Sequence, residues 1–144
     1  MYYGRKDDHH YMAKNNVGVI IEDCDVILNI IEPDDEFPDW MEFKASRSAT
    51  HLYDVRHALY AMSREGRHIL RKKNPVAEEV LSFEIGSGDY MFHYNIEQAR
   101  QNALDIDRLI KYDMELPDWC EHYLSVARVD ISKMASYLTW LVNL

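Results

Sequence analysis

The sequence predicts an all-α protein: an internally duplicated helix–loop–helix that forms a four-helix bundle-like domain, 1–144 being one domain. Three observations predict it. Apolar residues recur at steps of three and four over long stretches, the period of a helix with one buried face. Only 5 Gly and 4 Pro interrupt 144 residues, too few for an architecture built from many turns. The chain also aligns with itself, without a gap, when Tyr11 is set on Tyr90. A repeated unit that cannot bury its own apolar face must pack on its copy.

The alignment pairs 11–62 with 90–141 and leaves 63–89 as a linker. Identities fall at Tyr11/Tyr90, Met12/Met91, Asn16/Asn95, Ile27/Ile106, Ile31/Ile110, Asp34/Asp113 and Glu36/Glu115. They continue at Pro38/Pro117, Asp39/Asp118, Trp40/Trp119, Glu42/Glu121, Ser46/Ser125 and Leu59/Leu138. Chance likeness between two amphipathic helices does not place Asp-x-Glu-x-Pro-Asp-Trp-x-Glu in register. Each copy reads as helix, acidic loop, longer helix.

The first helix of each copy is expected to begin after Asn16 or Asn95, whose side chain can accept from the free amides of a first turn. Gln98 stands three residues after Asn95, as in a capping box. Val17, Ile20, Ile21, Cys24, Ile27, Leu28 and Ile31 form the apolar stripe of one copy. Ile96, Ala99, Ala103, Ile106, Leu109 and Ile110 form that of the other. Pro33 ends the first of these helices.

Pro38 and Pro117 mark the start of the second helix of each copy, since proline is tolerated only in a first turn. Glu36, Asp39 and Glu42, with Glu115, Asp118 and Glu121, favour the positive pole of the helix dipole. The stripe is then read as Trp40, Phe43, Leu52, Val55, Leu59 and Met62. The copy has Trp119, Tyr123, Val126, Ile131, Met134, Leu138 and Leu141. On this reading the two tryptophans occupy equivalent, largely buried places between the helices of their own copy. Exposed, they would be hot spots for a partner. Four such helices close either within one chain or by intertwining with a second.

The linker differs in character. Arg64, Arg67, Arg71, Lys72 and Lys73 cluster against Glu65 alone, reading either as a solvated helix end or as a docking patch for phosphate or acidic groups. From Val80 to Tyr94, alternation around Gly86-Ser87-Gly88 suggests a short β-hairpin, while 75–82 fits one or two turns of helix equally well.

Searching for chemistry excludes more than it finds. Gly86-Ser87-Gly88 lacks the third glycine and the lysine of a phosphate loop. Cys24 and Cys120 have no companion at metal or redox spacing and align with Ala103 and Met41, which makes them small core thiols. Helical di-metal sites use paired Glu-x-x-His motifs. The nearest here are Glu65 with His68 and Asp54 with His57, and Lys133 and Ser136 stand at the second pair's repeat positions. The terminal run Asp7-Asp8-His9-His10 reads as a solvated arm. Asp34, Asp35, Glu36, Asp39 and Glu42 lack the central glycine of a calcium loop. They read as capping groups or as a docking surface for a basic partner. No catalytic residue, cofactor or metal site is expected.

Charge sets the class of partner. With 16 Lys and Arg against 25 Asp and Glu, the net charge is −9. That argues against direct nucleic-acid binding, which needs a basic footprint, but suits an acidic inhibitor that occupies the nucleic-acid site of a host protein. Apolar content of 47% and charged content of 28% exclude a disordered chain. No apolar run reaches the roughly 18–20 residues of a membrane span. Met1-Tyr2-Tyr3-Gly4-Arg5 is no signal-peptide core, so an intracellular or virion location is expected.

The segment Glu36-Phe37-Pro38-Asp39-Trp40 with Lys44, and Glu115-Leu116-Pro117-Asp118-Trp119 with Leu124-Ser125-Val126-Ala127, resembles a short helical motif. That motif is found in small structural or hypothetical proteins of marine tailed phages, cyanophages among them. The likeness runs over one helix's length in each copy, with Asp130-Ile131 through Tyr137-Leu138 extending the second. Tyr123 departs from the pattern, which favours the lysine seen at Lys44. The resemblance implies a phage virion or accessory component. With the bundle reading, it predicts a non-enzymatic protein that acts by oligomerising or docking. Trp40, Trp119, Asp34, Asp35, Glu36 and the basic run of the linker are its candidate contact residues.

Overall fold

The computed structural model describes residues 5–62, 91–110 and 116–144, with side chains from residue 12 onward in the first segment. Four helices span them: α1 (Arg5–Ile30), α2 (Asp39–Met62), α3 (Phe92–Leu109) and α4 (Asp118–Val142). No strand occurs among the described residues. The protein is an all-α four-helix bundle.

Packing around the bundle runs α1, α3, α2, α4 and back to α1. Each helix of the first half (α1, α2) touches both helices of the second (α3, α4). Among the described residues the backbones of α1 and α2 do not approach each other closely, nor do those of α3 and α4. The helices joined by each acidic loop therefore stand on the bundle's diagonals. Side-chain pairs give their directions. Lys14 reaches Asp107 while Arg100 reaches Asp25, so α1 and α3 are antiparallel. Trp40 meets Tyr137 and His51 meets Tyr123, so α2 and α4 are antiparallel as well. Arg56 pairs with Asp105 and Arg108 with Tyr60, so α2 and α3 run parallel.

The core is a ladder with one spacing in every helix. Buried positions step by four and three: Ala13, Val17, Ile20, Cys24, Ile27 and Ile31 along α1, then Met41, Ala45, Ser48, Leu52, Val55 and Leu59 along α2. The second half supplies Phe92, Ile96, Ala99, Ala103, Ile106 and Ile110, then Cys120, Leu124, Ala127, Ile131, Met134 and Leu138. Each of these is the self-alignment partner of a rung in the first half, from Ala13/Phe92 to Leu59/Leu138. Alternate steps of four and three keep a narrow seam facing one way, as in knobs-into-holes packing. Small residues at Ala45, Ser48, Ala99 and Ala103 let neighbouring backbones approach.

Helix starts differ from those expected. Asn16 and Asn95 lie inside helices, not at their caps, because α1 begins at Arg5 and α3 at Phe92. The seam extends one step toward the N-terminus, to Ala13 and to Phe92, and Phe92 packs against Phe37 in a tilted pair with ring centroids 4.4 Å apart. In α3 about one further turn delivers Phe92 to the core, whereas α1 runs on past Ala13 to Arg5, about three turns before Asn16. The expected hairpin near 80–94 is corrected at its end, since residues 92–94 are helical; residues 80–90 lie outside the described residues. So do Arg64, Arg67, Arg71, Lys72 and Lys73.

The prolines sit as expected. Each directly precedes the first helical residue, and its carbonyl accepts from two amides of the first turn: Met41 and Glu42 from Pro38, Cys120 and Glu121 from Pro117. Asp39 and Glu42, like Asp118 and Glu121, place their charges at the positive pole. No helix of the described residues is long and apolar enough to cross a membrane.

Two core features give measurable expectations. Ser48 is fully buried and its hydroxyl makes no hydrogen bond to any described group. Ala127 occupies the matching place in α4. Ser48→Ala is therefore expected to raise stability by about 0.5–1 kcal/mol in urea titration, since a stranded polar atom is removed at little loss of volume. Burial pushes the Cys24 thiol up to about 12, with Asp25 and Asp23 adding to it, and the Cys120 thiol up to about 11, with Glu121 adding. Both values exceed 9.0, the ordinary value, so the folded protein holds these protons more tightly than the unfolded chain. Their contribution is complete below pH ~9 and is lost as pH rises toward 11–12. Alkaline melts of the Cys24→Ala/Cys120→Ala variant should fall less steeply across that window than those of the parent.

Candidate functional site

The seam between α2 and α4 carries the most distinctive surface chemistry. Its centre is electrostatic. Asp130, on α4, is 2% exposed. Arg47 grips it with two parallel N–H donors, Nε to Oδ2 and Nη2 to Oδ1, each at 2.9 Å, and Lys44 Nζ adds a third contact at 3.3 Å. Such a fork fixes orientation as well as charge. Arg47 also lies over the Phe43 ring, 5.2 Å from its centroid. One turn along, His51 stacks on Tyr123 at 4.1 Å, and its Nδ1 is buried without a hydrogen-bond partner among the described residues. Burial, and then the Arg47 charge, hold the His51 imidazole below its usual value.

From this centre the two ends diverge. At one end Trp40 meets Tyr137 edge to face at 5.4 Å, and Tyr137 lies 6.0 Å from Trp140. Phe43 and Trp140 remain 62% and 57% exposed, so this end presents an aromatic surface. At the other end lies an open groove of about 410 Å³, lined by Tyr53, Asp54, His57 and Ala58 of α2 and by Trp119 and Tyr123 of α4. The self-alignment places Ala58 where the first end has Tyr137, and Tyr123 where it has Lys44. The missing phenol ring opens the groove.

The tryptophans are corrected from the core to the surface. Trp40 is 41% and Trp119 44% exposed. The buried ladder passes through Met41 and Cys120, one residue on, and a step of one residue turns a helix by about 100°. Their surroundings also differ: Trp40 packs on a ring of the opposite helix, Trp119 on Tyr123 of its own at 5.3 Å. The acidic residues Asp34, Asp35 and Glu36 are exposed in the loop after α1. Asp35 closes that loop locally by accepting from the Glu32 amide at 2.8 Å.

The sequence singles out Asp54 with His57, and the departure at Tyr123, without joining them. The comparison that joins them is Ala58 against Tyr137 in the self-alignment. Asp130, Arg47 and His51 escape sequence reasoning, because a buried charge gives no periodic signal. No group of three or more His, Cys, Asp or Glu side chains is placed to hold a metal ion among the described residues.

Fold and site together define a four-helix bundle with a two-ended aromatic face. Comparison with family models, curated proteins and solved structures finds no match.

The ion cluster and the tryptophans give two expectations. Asp130→Asn should cost about 2–3 kcal/mol in chemical denaturation, below the full penalty for breaking a buried pair because Arg47 and Lys44 are partly solvated. Adding Arg47→Met should cost less than the sum of the separate losses. Trp40→Ala and Trp119→Ala should each cost no more than about 2 kcal/mol, half-exposed rings falling short of the roughly 3–5 kcal/mol of a buried one.

Proposed function

We propose that the protein is a non-enzymatic helical interaction module that self-associates through the aromatic end of its α2–α4 face. The observation that carries this reading is the surface formed by Trp40, Phe43, Tyr137 and Trp140 beside Leu144, which is 81% exposed. Aromatic residues left in water at one place are the usual centre of an interface. The cations beside them, Lys44 and Arg47, share the single carboxylate of Asp130, and Asp39 and Glu42 flank Trp40 in the first turn of α2. Charges of both signs thus border this end, so a second copy can lie against it with opposite charges facing, in spite of the net charge of −9. The same patch meeting itself gives a closed, two-fold dimer.

Two further parts of the reading have separate supports. Duplication of a helix–loop–helix is supported by the self-alignment and by buried positions that recur at matched places in the two halves. Service as a tailed-phage virion or accessory component is supported by the Pro-Asp-Trp motif and its resemblance; mass spectrometry of purified particles tests it.

Self-association is tested by light scattering coupled to size exclusion. The parent should run as a dimer or higher oligomer, and Phe43→Ser/Trp140→Ser as a monomer with its melting temperature at low concentration unchanged. A parent that is monomeric at about 100 μM, well above the Kd of ordinary interfaces of this kind, would remove the reading.

A further inference from the structure

The groove at the other end of the α2–α4 seam has walls, volume and a charge of its own. Trp119 and Tyr123 stand at 74° to one another with centroids 5.3 Å apart, forming two walls of a corner. Across from them, on α2, Tyr53 and His57 lie nearly parallel at 6.0 Å. Ring faces carry the negative part of the aromatic quadrupole; His51 takes one face of Tyr123, so the ring faces left open toward the groove are what a bound cation would meet. The volume of about 410 Å³ falls within the range of small-molecule sites.

The groove also holds a half-buried carboxylate, Asp54, with two histidines as its charge neighbours. Asp54 makes no ion pair or hydrogen bond with any described residue. The nearby guanidinium groups are committed elsewhere: Arg56 to Asp105 at 2.7 Å, and Arg47 to Asp130. Burial raises the Asp54 carboxyl above its ordinary value, while His51 and His57 pull it back. A bound cation would act in the same direction as the histidines.

The opposite end of the seam shows that the fold does not require such a groove. There Tyr137 fills the place of Ala58 and Lys133 stands in the place of Asp54. The two ends share a helical scaffold and differ in the side chains that close one and open the other.

We propose that this groove is a binding site for an organic cation of the alkylated-ammonium class, held between the Trp119, Tyr123 and Tyr53 rings and charge-paired with Asp54. The proposal does not depend on self-association, which uses the other end of the seam. Choline as a free small molecule and a peptide bearing trimethyl-lysine present the same chemistry from two sources, and calorimetric titration of each at pH ~8 shows which binds better. The neutral carbon isostere of choline, 3,3-dimethylbutanol, measures what shape alone contributes. Binding of at least one cation is expected, weaker by about tenfold or more for the isostere and for Asp54→Asn and Trp119→Leu. Trp40→Leu should bind like the parent. Ala58→Tyr, which copies the closed end, should abolish binding while circular dichroism and melting temperature remain those of a folded bundle. Absence of binding by both cations at millimolar concentration would overturn the proposal. So would equal binding of the isostere, or affinity that Ala58→Tyr leaves intact.

Discussion

The structure depends on a constraint of packing: the two helices joined by each acidic loop stand across the bundle's diagonals and do not pack side by side. With α1 and α2 on one diagonal and α3 and α4 on the other, the apolar seam of each half can be buried only against the other half. Burial of apolar surface is the main favourable term in folding, so neither half has a core of its own. The polar cross-links follow the same rule. Lys14 and Asp25 tie α1 to α3, Arg56 ties α2 to α3, Arg47 and Lys44 tie α2 to α4, and Ser132 donates to Asp23 at 2.6 Å between α4 and α1. Each of the four seams carries at least one such link. Exposed pairs of this sort add little stability. Asp130 is different, because a buried carboxylate tolerates few arrangements of its neighbours, and the α2–α4 register is set around it.

That register leaves two ends built alike in backbone and unlike in surface. The difference comes down to few side chains. Tyr137 closes one end and extends it into a surface with Trp40 and Trp140. Ala58 opens the other, and Tyr123, in the place of Lys44, turns a cationic edge into an aromatic wall. Similar helices can thus present two unlike surfaces without disturbing the ladder between them, since Met41, Leu52, Val55 and Leu59 face the core at both ends.

The sequence made much of the fold legible. Periodicity and self-alignment gave four helices, and the two prolines gave the starts of α2 and α4. What it obscured was which face of α2 and α4 turns inward. The expected stripe followed the large residues, and Trp40 and Phe43 entered it on size. The buried seam instead runs through Met41, Ala45 and Ser48, two of them too small or too polar to register as hydrophobic. Spacing was the better guide: steps of four and three, continued from Leu52 back toward Pro38, lead to Met41 and not to Trp40. Asn16 and Asn95 misled for a related reason. A capping residue type says where a helix can begin, whereas Ala13 and Phe92, one step up the ladder, require each helix to start before Asn16 and Asn95. The site was half legible. Asp54 and His57 stood out as a pair, but only the missing ring at Ala58 shows that they border open space.

The diagonal arrangement also bears on how the chain reaches its folded state. Helical bundles usually fold fast because neighbouring helices are neighbours in sequence and a short hairpin can form first. Here the loop after α1 joins helices that do not pack side by side, so no ordinary helical hairpin rewards its closure. The polar links between helices span from 48 residues, Tyr60 to Arg108, to 109 residues, Asp23 to Ser132. The entropy of closing those long loops must be spent before any seam is buried. A nascent chain extended only through Met62 would carry two complete apolar ladders with nothing to cover them. Its exposure to misassembly and to chaperones lasts until α3 and α4 emerge.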